Sequence, residues 1–175
     1  MRRWLLLPSL LAPAVCAAVV PNPSLGKAAA VCRADEPGPA LIISVLGMKD
    51  RRGILRAELY PDNDSDFLQD DAILVNQGKT FRRVDLDLSQ GSPPTLCMRV
   101  PAPGHYALSV LHDRDRNLKF GLFSDGIGFS GNPKLTRSKP KAASAGITAG
   151  PGLTRIAITM NYLHGFMKFG PLERK

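Results

Sequence analysis

Aromatic side chains are scarce in this chain, at 6%, which argues against a platform for stacking bases or sugars. No stretch of about 18 apolar residues runs without a charge or a proline, so a membrane-spanning domain is excluded. Cysteine is limited to three residues with no C-x-x-C spacing, and neither an internal repeat nor a convincing amphipathic helix is present. What the chain does have is ordinary for a folded protein, with 44% hydrophobic and 22% charged residues in a length of 175, which excludes disorder throughout. Sixteen glycines and fifteen prolines suit short strands and tight turns. The length fits one domain with something extra at its N-terminus.

That extra segment reads as a secretory signal peptide over residues 1–18. Arg2 and Arg3 precede an apolar run from Trp4 to Val20, broken by Pro8 and Pro13, and the small residues Cys16, Ala17 and Ala18 follow. Export to the periplasm or beyond the cell is therefore expected, with no membrane span once the signal is cleaved. The remaining charge is uneven. Residues 19–87 carry 9 basic and 11 acidic side chains, whereas residues 88–175 carry 12 and 4. Such a basic half reads either as a solvated surface or as a face that meets the anionic cell envelope or an acidic protein. Nucleic acid is not an expected partner, because an exported chain with no recognition motif lacks the means to read it.

Cys16 leaves with the signal, so Cys32 and Cys97 remain and are expected to form one disulfide. Closing a loop of that length removes unfolded-state entropy worth about 4 kcal/mol. The body of the chain then alternates strand and turn. Ala40–Leu46 is an apolar run, and Ile54–Tyr60 places Leu55, Ala57 and Leu59 on one face with Arg56 and Glu58 on the other. Pro61–Asp71 holds five aspartates and reads as an exposed acidic loop, followed by a short strand over Ala72–Asn76. Phe81–Leu88, Thr95–Val100, His105–His112 and Leu153–Leu163 alternate in the same way, and a glycine-rich loop fills the interval from Asp113 to Gly152. The expected fold is all-β, a single antiparallel Greek-key sandwich of about seven strands. Its boundaries are an N-terminal extension at 19–39, the sandwich at 40–163 and a C-terminal tail at 164–175.

The densest polar cluster follows the His105–His112 strand. Asp113, Asp115 and Asn117 have the D-x-D-x-N spacing that opens a calcium loop, with oxygen donors on alternate residues. Leu118 then stands where a sharp turn wants Gly, Ser124 stands where a bidentate Glu belongs, and Arg114 and Arg116 bring competing charge. Two readings follow: a calcium site, or a turn whose carboxylates bind the loop's own N–H groups and arginines. His112 beside Asp113 also invites a general base acting on Ser124 or Ser130. Neither serine sits in a nucleophile elbow, and adjacent strand residues point to opposite faces. His112 reads better as a loop anchor or ligand contact, together with Asp125. Lys134, Arg137, Lys139 and Lys141 form a basic loop that either grips an anionic envelope polymer or is simply solvated.

The stretch His105-Tyr106-Ala107-Leu108-Ser109-Val110-Leu111-His112-Asp113, with Asn117, Lys119 and later Gly128-Phe129-Ser130, resembles the bacterial exported family known as domain of unknown function 2141. The resemblance implies a transthyretin-like or immunoglobulin-like sandwich with no assigned activity. This chain departs from the family pattern at Asp115 (usually Asn), Leu118 (usually Gly) and Gly121 (often an acid), which weakens a calcium site further. The expected function is that of an exported, non-enzymatic binding or envelope-associated module without a cofactor. The alternatives are a calcium-stabilised or ligand-binding sandwich that uses the loop after His112, and an envelope hydrolase.

Overall fold

The computed structural model describes residues 22–91, 93–136 and 138–172, so the expected signal peptide and Arg137 lie outside the described residues. Among the described residues, ten strands form two sheets. The smaller sheet has β1 (Ala40–Leu46) between β4 (Thr95–Arg99) and β8 (Leu153–Thr159). The larger runs β10 (Lys168–Pro171), β9 (Asn161–His164), β6 (Gly126–Phe129), β5 (Gly104–Asp113), β2 (Ile54–Pro61), β3 (Arg82–Asp87), with β7 (Gly146–Ala149) also pairing β5. From β1 the chain crosses to the hairpin β2–β3 in the other sheet and returns as β4 beside β1. One pairing departs from the expected antiparallel arrangement, since β8 runs parallel to β1. Alternating apolar residues report which face is buried but not which way a neighbour runs, so strand direction was not legible in the pattern.

Period-two alternation builds the interior. Leu41, Ile43 and Val45 of β1, with Leu96 and Met98 of β4, face Leu55, Ala57 and Leu59 of β2 and Leu108 and Val110 of β5, all buried. Each such side chain contributes roughly 1.5–3 kcal/mol by leaving water. The expected disulfide is present: Cys32 and Cys97 are bonded with their Cα atoms 5.7 Å apart. It fastens the N-terminal segment against β4, where Ala30 of the short α1 (Lys27–Ala30) enters the core. From Asn22 onward the expected extension is thus packed on the sandwich, and the expected tail supplies β10.

The outer face of the larger sheet carries a second layer that the alternation concealed. Tyr60, Ala107 and Phe129 project from β2, β5 and β6 onto Phe67, Leu74, Phe81, Ala142 and Ala145. Tyr60 meets Phe67 and Phe81 edge-on at 5.6 and 5.5 Å between centroids. Two local expectations are corrected here. Residues 72–76 form a helix, α2 (Asp71–Asn76), and not a strand, because the Asp70 carboxylate caps the Ala72 amide at 2.9 Å and Leu74 turns inward. The acidic loop is exposed only in part: Phe67, Asp66 and Asp71 are buried, with Asp66 bonded to Lys79 at 2.6 Å and Asp71 to Arg83 at 2.7 Å. No described helix is long and apolar enough to cross a membrane.

Candidate functional site

The loop after β5 is built from the strand end outward. In the sheet ladder His112 pairs with Gly126 of β6, and Gly126 pairs with Tyr162 of β9. The missing side chain at Gly126 lets the Tyr162 ring lie across it, where a Cβ would overlap the ring. Tyr162 Oη accepts the Lys49 amide at 3.1 Å, so its own proton goes to His112 Nδ1 at 2.6 Å. His112 Nε2–H then donates to the Arg52 carbonyl at 2.8 Å. This network holds a neutral imidazole in one tautomer. Burial pushes the His112 pKa below its ordinary value and pushes Tyr162 up to about 12. His112 is fully buried and joins the residue 49–52 turn, β5 and β9 as a strut. The hydroxyls of Ser124 and Ser130 donate to the Gly121 and Gly146 carbonyls, so neither serine meets it.

Asp113 points to the other side and receives the amides of Asn117 and Leu118 at 3.2 and 2.9 Å. Asp125 receives those of Arg114 and Gly121 at 2.9 and 2.8 Å. Asp115 approaches both, and one oxygen from each of the three carboxylates lies within 4.8 Å of the others. Asn117, the third donor expected from the spacing, turns to Asp115 and the Lys119 amide instead. The third position falls to Asp125, ten residues beyond Asp115, which no short motif could reveal. Three carboxylates so placed are the donor set of a hard divalent cation, yet each buried one already commits both oxygens to backbone amides. Burial first, then Asp115 and Asp125, raises the Asp113 pKa. The guanidinium groups bond elsewhere, although the charges of Asp113 and Asp125 act on Arg116 and Arg114. Arg114 binds Asp50 at 2.5 Å and the Ser124 carbonyl at 2.6 Å, and Arg116 binds Asp87 at 2.8 Å.

A different feature lies on the far side of that loop. Phe120 and Leu122, Leu163 and Met167 of the β9–β10 hairpin, and Ile127 and Leu135 line an open apolar groove of about 480 Å³. Lys139 stands on its rim, 5.7 Å from the Phe67 ring centroid, while the basic side chain of Lys141 lines no described cavity. A second cavity of about 360 Å³ shares Leu135 and Phe169 as a wall and is lined by Pro133, Gly170 and Pro171 together with Asn132, Lys134, Thr159, Asn161 and Lys168. Of the ten large apolar side chains exposed among the described residues, Phe120, Leu122 and Met167 line this groove, Phe123 and the fully exposed Phe166 are their chain neighbours, and Leu118 lines a separate cavity beside Arg56 and Arg83. His112 and Asp125 line neither cavity. The basic loop of the sequence reading contributes Lys134 and Lys139, but the apolar wall went unread. Its signal was Leu118-Lys119-Phe120-Gly121-Leu122-Phe123, four large apolar residues within an otherwise polar loop.

No curated protein and no solved structure matches the chain. Residues 43–157, from within β1 to within β8 and including the whole loop after His112, match the family described as an uncharacterized protein conserved in bacteria (domain of unknown function 2141), and the chain belongs to that family.

Proposed function

We propose that the protein is an exported, non-enzymatic binding module that engages anionic, partly apolar material of the bacterial envelope through the groove between the residue 118–123 loop and the β9–β10 hairpin. One observation carries this reading: Phe120, Leu122 and Met167, large apolar side chains left in water, line one groove with Lys139 at its rim, a combination that marks interaction surfaces. The disulfide favours an oxidising compartment, in keeping with the signal expected over residues 1–18. His112, whose two ring nitrogens serve as structural bonds, supports a role other than catalysis. The loop after His112 acts as a self-capped turn that presents Phe120, Leu122 and Phe123, and it needs no ion to do so.

The test is sedimentation of the purified, oxidised protein with vesicles of phosphatidylglycerol and, separately, of phosphatidylcholine. Association with the anionic vesicles alone is expected, weakening as salt screens the lysines, and a Phe123→Ser/Phe166→Ser double variant should lose it. No association with either lipid, or full retention by the double variant, overturns the reading.

A further inference from the structure

The outer strand of a sheet leaves backbone groups unpaired, and this fold covers or shortens most such edges among the described residues. The outer edge of β4 lies under the N-terminal segment, where Val31 bridges Met98 and Cys32 is bonded to Cys97. β3 is met by α1, with Lys27 on Asp85 at 2.7 Å. β7 and β10 are four residues long, and β10 ends on Pro171. β8 is the exception: seven residues, paired with β1 on one side and with no strand on the other.

Bonds at both ends fix how β8 faces. The Gly152 C=O and the Met160 N–H pair with Ala40 and Leu46, so even-numbered residues turn their backbone toward β1 and odd-numbered ones turn it outward. Near the C-terminal end a side chain meets those outward groups. Asn132 accepts the Thr159 N–H at 2.7 Å and donates to the Ala157 C=O at 3.0 Å, as a neighbouring strand would. Before that clamp, the N–H and C=O of Leu153 and Arg155 and the N–H of Ala157 have no protein partner among the described residues. The side chains of Leu153, Arg155 and Ala157 are exposed, while Thr154 and Ile156 are half-buried beside the core. The three strands of this sheet carry two arginines and no acid; Arg99 faces Glu36 at 3.6 Å, and Arg155 has no partner among the described residues.

We propose that β8 is a docking edge for an extended segment of another polypeptide, which adds as a fourth strand beside residues 153–157. Its apolar side chains lie against Thr154 and Ile156, and an acidic side chain lies beside Arg155. Backbone bonds supply the affinity and the alternate side chains the selectivity. A second copy of the chain fits worse, because self-pairing centred on the open segment sets two Arg155 side chains opposite each other. No residue of β8 lines the apolar groove, so this inference stands apart from the vesicle reading.

The probe is a capped, fluorescent peptide of about seven residues, matched to the strand length, with valine at alternate positions and one glutamate among threonines at the others. Anisotropy titration of the oxidised protein should show saturable binding, at least tenfold tighter than for the same peptide with lysine replacing glutamate. Amide hydrogen exchange at Leu153, Arg155 and Ala157 should slow on binding. Methylating the peptide nitrogens that face β8 should abolish the interaction. Arg155→Glu, at an exposed side chain where folding is not at stake, should reverse the charge preference. Ala157→Pro removes an N–H that the fold does not use and should weaken binding at least tenfold; if proline disturbs the strand, the Arg155→Glu reversal decides. Absence of saturable binding, equal binding of the methylated peptide, or an unchanged charge preference in Arg155→Glu overturns the proposal. Self-association that excludes the peptide also overturns it, by making the occupant a second copy.

Discussion

Replacing Asp113 by alanine removes the residue that ties the loop after β5 to itself. Its carboxylate is fully buried and receives two backbone amides, at 3.2 and 2.9 Å. A bond to a charged acceptor contributes about 1.5–3 kcal/mol where the freed donor stays dry. Two effects reduce the sum. Asn117 and Leu118 are exposed, so water reaches their amides once the carboxylate is gone. The carboxylate itself is held at a desolvation cost, which burial expresses as a raised pKa. The expected loss is therefore about 1–3 kcal/mol, or about 2–4 °C in Tm for each kcal/mol. Denaturant titrations of wild type and Asp113→Ala, each in chelator and in millimolar calcium, measure it. With the carboxylates serving as caps, the loss is the same in both solutions. A cation bound at a hundred times its Kd would instead add about 2.7 kcal/mol to the wild type. A calcium-dependent wild type beside an unresponsive variant would refute the reasoning. Leu118, left-handed at φ 65°, provides a control. Leu118→Gly should recover about 1 kcal/mol of backbone strain in the Asp113→Ala background.

Reducing the Cys32–Cys97 bond, which closes a separation of 65 residues, should cost about 4 kcal/mol in chemical denaturation, and denatured, unreduced protein should show no thiol of either residue. Arg83 lies between Glu58 and Asp71, at 2.6 and 2.7 Å, so Arg83→Ala should destabilise by about 3–5 kcal/mol by leaving the buried Asp71 carboxylate without its cation and Glu58 with only the Tyr60 hydroxyl; a loss under about 1 kcal/mol would contradict that account. His112 is held below its ordinary pKa of 6.5 chiefly by burial, against the pull of Asp50 at 3.9 Å. On acidification the unfolded chain takes up that proton first, so stability is complete above the unfolded value and declines as the pH falls through the window beneath it. Denaturation midpoints measured between about pH 7.5 and about pH 5 should show this slope in the wild type and a flatter one in His112→Gln.

Residues alone determined the all-β class, the inward faces of β2 and β5, and the disulfide, because alternation at period two and a lone pair of cysteines are local or countable signals, whereas the single strand expected over Leu153–Leu163 is divided into β8 and β9 of different sheets. The loop after His112 was also legible as a place where carboxylates gather, since Asp113 and Asp115 are near neighbours. Its real composition was not. Asp125 arrives from across a turn, and Arg114 and Arg116 are drawn off by Asp50 and Asp87, partners 64 and 29 residues away in sequence. The helix at Asp71–Asn76 was misread for a related reason: six residues hold too little periodicity to outvote one capping bond and one buried Leu74. The matched family segment ends at residue 157, before the hairpin that supplies Leu163, Met167 and Phe169 to the groove. Only the tertiary structure could decide that wall, because its residues come from the 118–123 loop, the 131–140 segment and β9–β10. The physical reason is general to sheets: a strand's own pattern says which side is buried, but what covers that side is chosen by chain segments whose contact is set only when the fold closes.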